Sequence, residues 1–322
     1  GVLGQPGTEV LYGGEGLIDD LRSGGRLRFG GWLDGCQNYG LEGEYFGLAN
    51  QSDDFYSSSE GDPILARPFV NALTDSQDAE LVAYPDLIAG SVTTGASSTL
   101  NSAGARFRFN LLRHGGCDCG MEGSRFDLLA GYRYLGLSEG ISVREQLTSL
   151  NPLVPATVDI RDSFDARSDF HGGVMGMLYE RRQSRWSVVV LAKVALGNSH
   201  QVVTVNGSTD RVISGEADSL TGGFLAQRTN IGRYDDDQFA VVPEAGVTLG
   251  CDLTSCLRAT FGYSFVFISS VARAGNQIDT VINPNLLPPE SDPFFGPLRP
   301  GFSLNDSGYW AQGLAFGLEW RR

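Results

Sequence analysis

Residues 105–113 read ARFRFNLLR, and residues 125–135 read RFDLLAGYRYL. In both stretches apolar and polar side chains alternate, which is the period of a β-strand whose two faces meet different surroundings. Phe107 and Phe109 share one face of the first stretch, and Arg106 and Arg108 share the other. Weaker or stronger versions of the pattern occur over residues 26–34, 39–48, 168–181, 186–197, 238–250, 257–268 and 309–320. The chain is therefore predicted to be all-β.

The connectors between these stretches alternate in length. Short ones cover residues 34–38, 182–184 and 251–256, whereas long ones cover residues 49–104, 136–168, 198–237 and 269–308. Short turns at one end and long loops at the other are typical of outer-membrane barrels. We therefore predict a transmembrane antiparallel up-and-down β-barrel with short periplasmic turns and long extracellular loops.

The number of strands follows from the position of the chain ends. A weak further strand over residues 8–18 would bring the N-terminus to the periplasmic side and give about ten strands, an even number as in bacterial barrels. Twelve strands are the alternative, if residues 81–100 form a hairpin within the first long loop. Residues 1–322 are predicted to form one domain, in which residues 1–24 are an N-terminal segment.

Composition excludes several classes of protein. The longest nearly apolar run, residues 186–196, contains Lys193 and is far shorter than the ~20 residues that a membrane-spanning helix needs. The net charge of −14 argues against nucleic-acid binding. The four long loops hold 23 acidic and 9 basic residues, so their imbalance equals the whole net charge. The start of the chain has no leader pattern, as expected of a mature protein processed from a secreted precursor.

The five cysteines lie in or beside the short connectors. We predict a disulfide between Cys251 and Cys256 and a second one that joins Cys36 to Cys117 or Cys119, which requires an oxidising compartment such as the periplasm. The alternative is a zinc site made of these last three cysteines and His114. The C-x-C spacing of Cys117 and Cys119 departs from the usual C-x₂₋₄-C spacing and disfavours zinc.

In a membrane barrel the aromatic faces meet lipid and the polar faces line the lumen. The charged residues on the polar faces are Arg26, Arg28, Glu42, Glu44, Arg106, Arg108, Arg125, Asp127, Arg133, Lys193, Glu244, Arg258 and Glu319. So many interior charges are tolerable only when they are paired or hydrated. With about ten strands the bore is narrow, and we predict an Arg–carboxylate network that largely blocks it.

The long loops contain three further candidates. Residues 61–70, an apolar stretch bounded by prolines, are predicted to fold into or over the barrel mouth, with Arg67 reaching an acidic partner and residues 283–289 packing beside it. Asp235, Asp236 and Asp237 are a candidate calcium site, although a solvated acidic turn is the simpler interpretation. No enzyme activity and no cofactor are predicted. A hydrolase built on His171 with Asp165 and Asp169 lacks a second acidic pair.

Several ordered blocks of the sequence are similar to one known family. They include WLDGCQNYGLEGEYF (32–46), GDPILARPF (61–69), DLLAGYRYL (127–135), KVALGNSHQ (193–201), AVVPEAGVTLG (240–250) and NPNLLPP (283–289). These blocks resemble the putative β-barrel porin 7 family of bacterial outer-membrane proteins, over nearly the whole chain. The resemblance implies a surface-located barrel with a porin role and carries over no catalytic residue.

Two functions follow as hypotheses. The first is a narrow or gated porin for small solutes. The second is a structural or interaction barrel whose acidic extracellular loops bind partners, surface polymers or divalent cations. The expected partners are the lipid bilayer of the bacterial outer membrane, other copies of the chain or other surface proteins, and divalent cations, but not nucleic acid.

Overall fold

The computed structural model describes residues 4–14, 21–115 and 122–321. These residues form fourteen β-strands and two 3₁₀ helices, Ala274–Gln277 and Pro284–Leu286. The strands are β1 (Gly24–Trp32), β2 (Tyr39–Leu48), β3 (Gln51–Ser59), β4 (Leu65–Asn71), β5 (Ser76–Ala83), β6 (Ile88–His114), β7 (Glu122–Ser149), β8 (Ala156–Gln183), β9 (Trp186–Ile213), β10 (Glu216–Thr221), β11 (Gly232–Asp252), β12 (Leu257–Ala272), β13 (Val281–Ile282) and β14 (Asp306–Trp320). Within these ranges no helix is long and apolar enough to cross a membrane.

The large sheet has the order β1-β2-β6-β7-β8-β9-β11-β12-β14, and all of its pairs are antiparallel. β2 and β3 both pair with β6, one after the other along its length, and β10 pairs with β9. A separate small sheet has the order β13-β4-β5. The predicted all-β, antiparallel up-and-down architecture is therefore confirmed. Between residues 21 and 321, no pairing of β1 with β14 is seen where the structure is described.

The predicted number of strands, ten or twelve, is wrong. Eleven strands belong to the large sheet, and nine lie along its main path. Residues 8–14 of the predicted first strand form turns and irregular structure, and residues 15–18 lie outside the described residues. Residues 81–100 do not form a hairpin of the large sheet, because β5 joins the small sheet and only β6 continues into the large one.

Most of the predicted long loops 136–168 and 198–237 is an extension of the strands. β7 and β8 are 28 residues each and pair from Glu122↔Gln183 to Thr148↔Thr157, so the predicted loop 136–168 is a hairpin whose tip covers only residues 150–155. A membrane strand needs only ~9–11 residues. β9 likewise extends to Ile213 and turns into β10 at Ser214 and Gly215, both with positive φ. These two hairpins thus continue the sheet well beyond the stretches that were predicted as strands.

The outward face of the sheet changes character along each strand. Near the short turns it carries large exposed apolar side chains, which we call the apolar belt: Leu27, Phe29, Tyr39, Leu41, Tyr45, Phe107, Phe109, Leu128, Tyr132, Met175, Met177, Val188, Val190, Leu196, Val247, Leu249, Phe261, Tyr263, Leu314, Phe316 and Leu318. Further along β6 the outward residues are polar, as at Ser97 and Thr99. An exposed band of this size is what a lipid-facing girdle requires and exceeds what a water-facing sheet normally exposes.

The inward face carries a second apolar set, which we call the apolar layer. It comprises Leu100, Leu135, Leu137, Phe170, Val174, Ala195, Ala240, Val242, Val266, Ile268, Val271 and Tyr309, all at most 9% exposed. These residues come from seven strands, β6 to β9, β11, β12 and β14, and pack as one cluster. The sheet must therefore curl around them, so its interior is packed at this level.

Candidate functional site

The charged residues predicted for the lumen lie in the interior, on the short-turn side of the apolar layer. Lys193 Nζ lies 3.2 Å from a Glu244 carboxylate oxygen and 3.6 Å from a Glu44 carboxylate oxygen. Three strands separate β2 from β9 in the sheet order, so the Lys193–Glu44 contact crosses the interior. Arg133 donates to Glu244 at 2.6 Å. Glu44 and Glu244 thus form the centre of a layer of charges that joins opposite walls.

A second part of the network lies on β2, β6 and β7. Arg106 donates to Glu42 at 2.5 Å and to Glu44 at 2.8 Å. Arg108 and Arg125 each donate to Asp127 at 2.6 Å. Their guanidinium carbons also lie 4.8 and 3.8 Å from the centre of the Trp32 ring. The network therefore combines charge-assisted hydrogen bonds with cation–π contacts.

A third part lies on β8, β11, β12 and β14. Arg258 donates to Asp252 at 2.6 Å, lies 3.4 Å from Glu180 and lies 3.8 Å from Glu319. Arg26 and Arg28 lie 3.8 and 3.4 Å from Glu44. Each of the thirteen charged residues predicted for the lumen thus makes an ion pair with another of them.

Sequence reasoning missed four members of the network, Glu180, Arg182, Asp252 and Arg321. Asp252 and Arg182 had been assigned to short connectors, and Arg321 follows the last strand. Glu180 belongs to the stretch 168–181, in which three glycines weaken the alternation of apolar and polar residues. Inward-facing glycines of β7 and β8 have a packing role. A Cβ at Gly176 would lie 2.5 Å from Cβ of Lys193, and one at Gly131 would lie 2.6 Å from Cα of Arg106. Residues without a side chain at these positions leave room for the charged chains opposite.

A cavity of about 20 Å³ lies between Glu44, Ser102, Arg106, Arg133 and Lys193. That volume holds about one water molecule. The charge layer and the apolar layer thus lie one above the other in the interior.

A plug covers the far end of the interior, between the extended strands. We define it as residues 61–87 and 273–305, which contain the small sheet of β4, β5 and β13. β13 pairs in parallel with β4 through Val281↔Val70, which joins the first and last predicted loops. Phe69 and Ile282 of the plug pack against Phe224, and all three are at most 7% exposed. The predicted inward folding of residues 61–70 is therefore present.

Arg67 connects the plug to the wall. Its guanidinium donates to Glu145 of β7 in a very short contact, and lies 3.7 Å from Asp162 of β8 and 3.9 Å from Glu80 of β5. It also lies over the Phe224 ring, 4.7 Å from its centre. The Glu145 and Asp162 side chains are 0% and 1% exposed. The predicted acidic partner of Arg67 is thus a cluster of three carboxylates.

One guanidinium does not satisfy three carboxylates. Among the described residues, one oxygen each of Glu80, Glu145 and Asp162 is buried without a hydrogen-bond donor. The other oxygen of Asp162 accepts from the backbone N–H groups of Leu225 and Ala226 at 3.0 and 2.8 Å. Burial raises the pKa of Glu80 well above its ordinary value, and the nearby Glu145 carboxylate adds to this. Burial also raises the pKa of Asp162. The plugged state therefore favours protons on these two carboxyls.

The predicted Cys251–Cys256 disulfide is wrong, because both cysteines are free thiols. The strand register explains the error. Cys251 lies opposite Ala259 across the β11–β12 pair, whereas Cys256 lies in the turn three residues before Ala259. The sulfur of Cys256 instead lies 3.5 Å from the Ser255 hydroxyl oxygen. Both alternatives for Cys36, a disulfide to Cys117 or Cys119 and the zinc site with His114, involve residues outside the described ones, since Cys117 and Cys119 are among these.

The three aspartates of the candidate calcium site are separated by the strand geometry. Asp235, Asp236 and Asp237 lie within β11, where successive side chains point to opposite faces. Asp237 accepts from Asn198 at 2.7 Å, and Asp236 accepts from Gln238 at 2.6 Å. In the described part of the chain, no group of three acidic, histidine or cysteine side chains could hold a metal ion. The calcium prediction at these residues therefore has no geometric basis.

His171 lies on the outward face at the edge of the apolar belt. Its Nδ1 lies 2.5 Å from the Tyr132 hydroxyl oxygen, and the neighbouring Asp169 accepts from the Tyr134 hydroxyl at 2.7 Å. Asp165 accepts from the Ser163 hydroxyl at 2.8 Å. Each group is thus engaged separately with a neighbouring hydroxyl.

Comparison with known families bears on this architecture of belt, charge layer and plug. A family model described as Putative beta barrel porin-7 (BBP7) matches residues 1–321. The chain belongs to this family. The resemblance found in the sequence is therefore confirmed, and the description names a porin and not an enzyme. No curated protein and no solved structure matches the chain.

Proposed function

We propose that this BBP7 protein is a bacterial outer-membrane β-barrel that is closed to solutes in its ground state and acts as a structural and interaction protein at the cell surface. The main support for this proposal is the apolar layer. Leu100, Ala195 and Ile268, on three different strands, are each 0% exposed, which supports an interior that is closed to solvent at this level. The charge layer below and the plug above add two further barriers.

The cost of opening supports the same proposal. Exposing one buried Leu, Ile or Phe side chain to water costs about 1.5–3 kcal/mol. Opening a path through the apolar layer would expose several such side chains at once. The extended hairpins of β6 to β9, in contrast, project a rigid sheet beyond the belt. Interaction with partners outside the membrane is what this shape supports best.

A gated porin for small solutes is the second candidate. The separable plug favours it, because the plug is connected to the wall by a polar cluster around Arg67 as well as by apolar contacts. The porin description of the family points the same way. The acidic loop residues and the charge layer would then select solutes by charge.

Planar-bilayer recording separates the two candidates. The refolded barrel, whose folding is checked by its β-type circular dichroism and heat-modifiable gel mobility, is expected to be electrically silent. Removal of residues 61–70 tests the plug in the same assay. Silence of both proteins supports the closed barrel. Stable channels in the wild type would overturn it, and channels only after the deletion would establish the gated porin instead.

A further inference from the structure

A groove of about 590 Å³ lies on the outward face of the extended sheet. Its lining includes Ser138 of β7, Asp165, Arg167 and Asp169 of β8, His200 of β9 and Arg233 of β11. The side chains of these residues project away from the interior, because their neighbours along each strand, such as Ala166, Ser168 and Ser199, are buried. The groove is thus separate from the lumen and the plug.

The height of the groove relative to the belt places it outside the lipid headgroups. On β9, Leu196 is an exposed belt residue, and His200 lines the groove four residues later. Four residues of a strand tilted by about 40° rise roughly 10 Å. The polar zone of a bilayer is only about 5–8 Å thick on each side of the hydrocarbon core. A molecule in the groove would therefore lie just beyond the phosphate level of the outer leaflet.

The chemistry of the lining fits a sugar better than a phosphate or a protein. Its charged lining consists of two arginines and three carboxylates, the third being Glu139, so the groove has no excess positive charge to attract a phosphate. It also lacks the large aromatic and aliphatic anchors that dominate protein interfaces. Hydroxyl, carboxylate, guanidinium and imidazole groups alternate across it and can both donate to and accept from sugar hydroxyls.

Several of these polar groups are held in place before any ligand arrives. Arg167 pairs with Asp169 at 2.7 Å, and Asp169 accepts from Tyr134 at 2.7 Å. His200 lies 3.1 Å from Asp237, which accepts from Asn198. Arg233 makes no ion pair with any described residue and keeps its donors available. Such pre-orientation lowers the entropic cost of binding.

We propose that this groove binds the saccharide part of an outer-leaflet glycolipid. The proposal rests on the proposed surface-interaction function and names its ligand class. The sugar would lie along β7 to β9, with its hydroxyls between the Asp165 carboxylate and the Arg233 guanidinium, while the acyl chains lie against the apolar belt below.

The test compares three bilayers around the full-length protein: nanodiscs of phospholipid alone, nanodiscs with lipopolysaccharide that carries its core sugars, and nanodiscs with lipid A that lacks them. Lipid retained on the protein is counted by native mass spectrometry. We expect at least tenfold greater retention of the core-bearing lipid than of lipid A. The double variant D165N/R233Q, which leaves the net charge unchanged, should reduce this ratio to about one.

The matched control is D159N/R161Q, which changes an acid and an arginine on the outward face of the same strand β8 but outside the groove. It should keep the wild-type ratio. Equal retention of both lipids by the wild type, or an unchanged ratio in D165N/R233Q, would overturn the proposal. So would a dimer that D165N/R233Q dissociates without any change in retained lipid, since the groove would then be an interface between copies. Conductance is measured separately, so failure here leaves the closed-barrel proposal intact.

Discussion

Replacement of Arg67 by methionine should loosen the plug without unfolding the barrel. Methionine keeps much of the contact with Phe224 but leaves Glu145 and Asp162 buried without their cation. Removal of one partner from a buried ion pair costs about 3–5 kcal/mol. Because the Arg67 side chain is 15% exposed, we expect the lower end, about 3 kcal/mol. This corresponds to a roughly 100-fold increase in the population of the open plug.

Hydrogen exchange measures this population directly, since amides of β4 and β5 exchange when the plug opens. The protection of residues 65–83 should fall by roughly 100-fold in R67M, while that of β7 and β8 stays unchanged. The control R144M removes an arginine that pairs with Asp159 at 2.5 Å but is 47% exposed. An exposed pair contributes at most about 1 kcal/mol, so the effect should stay below about fivefold.

A second variant separates loss of charge from loss of packing. R67M/E145Q removes the cation together with its closest anion, and Asp162 keeps its two backbone donors. Replacement of both partners of a buried pair costs much less than replacement of one. The double variant should therefore regain most of the lost protection. Equal exchange in R67M and R144M, or no recovery in R67M/E145Q, would refute the electrostatic role of Arg67.

The remaining predictions concern pH, lumen, belt and thiols. Because burial raises the pKa of Glu80 and of Asp162, the plugged state binds more protons than the open one. The protection of the plug amides from hydrogen exchange should therefore be greatest at acidic pH and should decline as the pH rises through the raised pKa values. E80Q should make this decline less steep. In urea unfolding, E244Q should cost about 3–5 kcal/mol, because Arg133 and Lys193 lose a shared buried anion; a cost below about 1 kcal/mol would contradict the network. F316R should cost about 2–4 kcal/mol in a bilayer and S142R at most about 1, and equal costs would show that the belt does not face lipid. Both Cys251 and Cys256 should react with a thiol reagent in unfolded, unreduced protein. A protein that does not react there and whose mass is lower by two hydrogens would show that the disulfide forms after all.

Much of the candidate site was predictable from alternation alone. Near the short turns, charged residues on one face of a strand alternate with large apolar residues on the other, as arginine and phenylalanine do in ARFRF. Such contrast assigns each residue to the lumen or the lipid with little ambiguity. The residues that pattern missed, Glu180 and Asp252, lie where glycine or a turn interrupts the period.

The extended strands were not predictable for a definite physical reason. In β6 beyond the belt, Thr94, Ala96 and Ser98 point inward and Thr93, Gly95 and Ser97 point outward. Both faces are small and mostly polar, so no period of two is visible. The inward residues are nevertheless at most 8% exposed, and β5 of the plug contacts β6. Burial here comes from a distant segment of the chain and not from the side chain's own character.

The amino-acid sequence by itself determined the all-β class, the division into inward and outward faces, the family and the inward position of Arg67, because each of these depends on a short stretch of neighbouring residues. Only the tertiary structure decided the strand lengths, the three-carboxylate environment of Arg67, the free state of Cys251 and Cys256, and the outer groove. Each of these depends on strand register or on contacts between residues far apart in the chain, as where Arg67 meets Asp162. Register and long-range contact are properties of the folded chain that no single stretch of sequence contains.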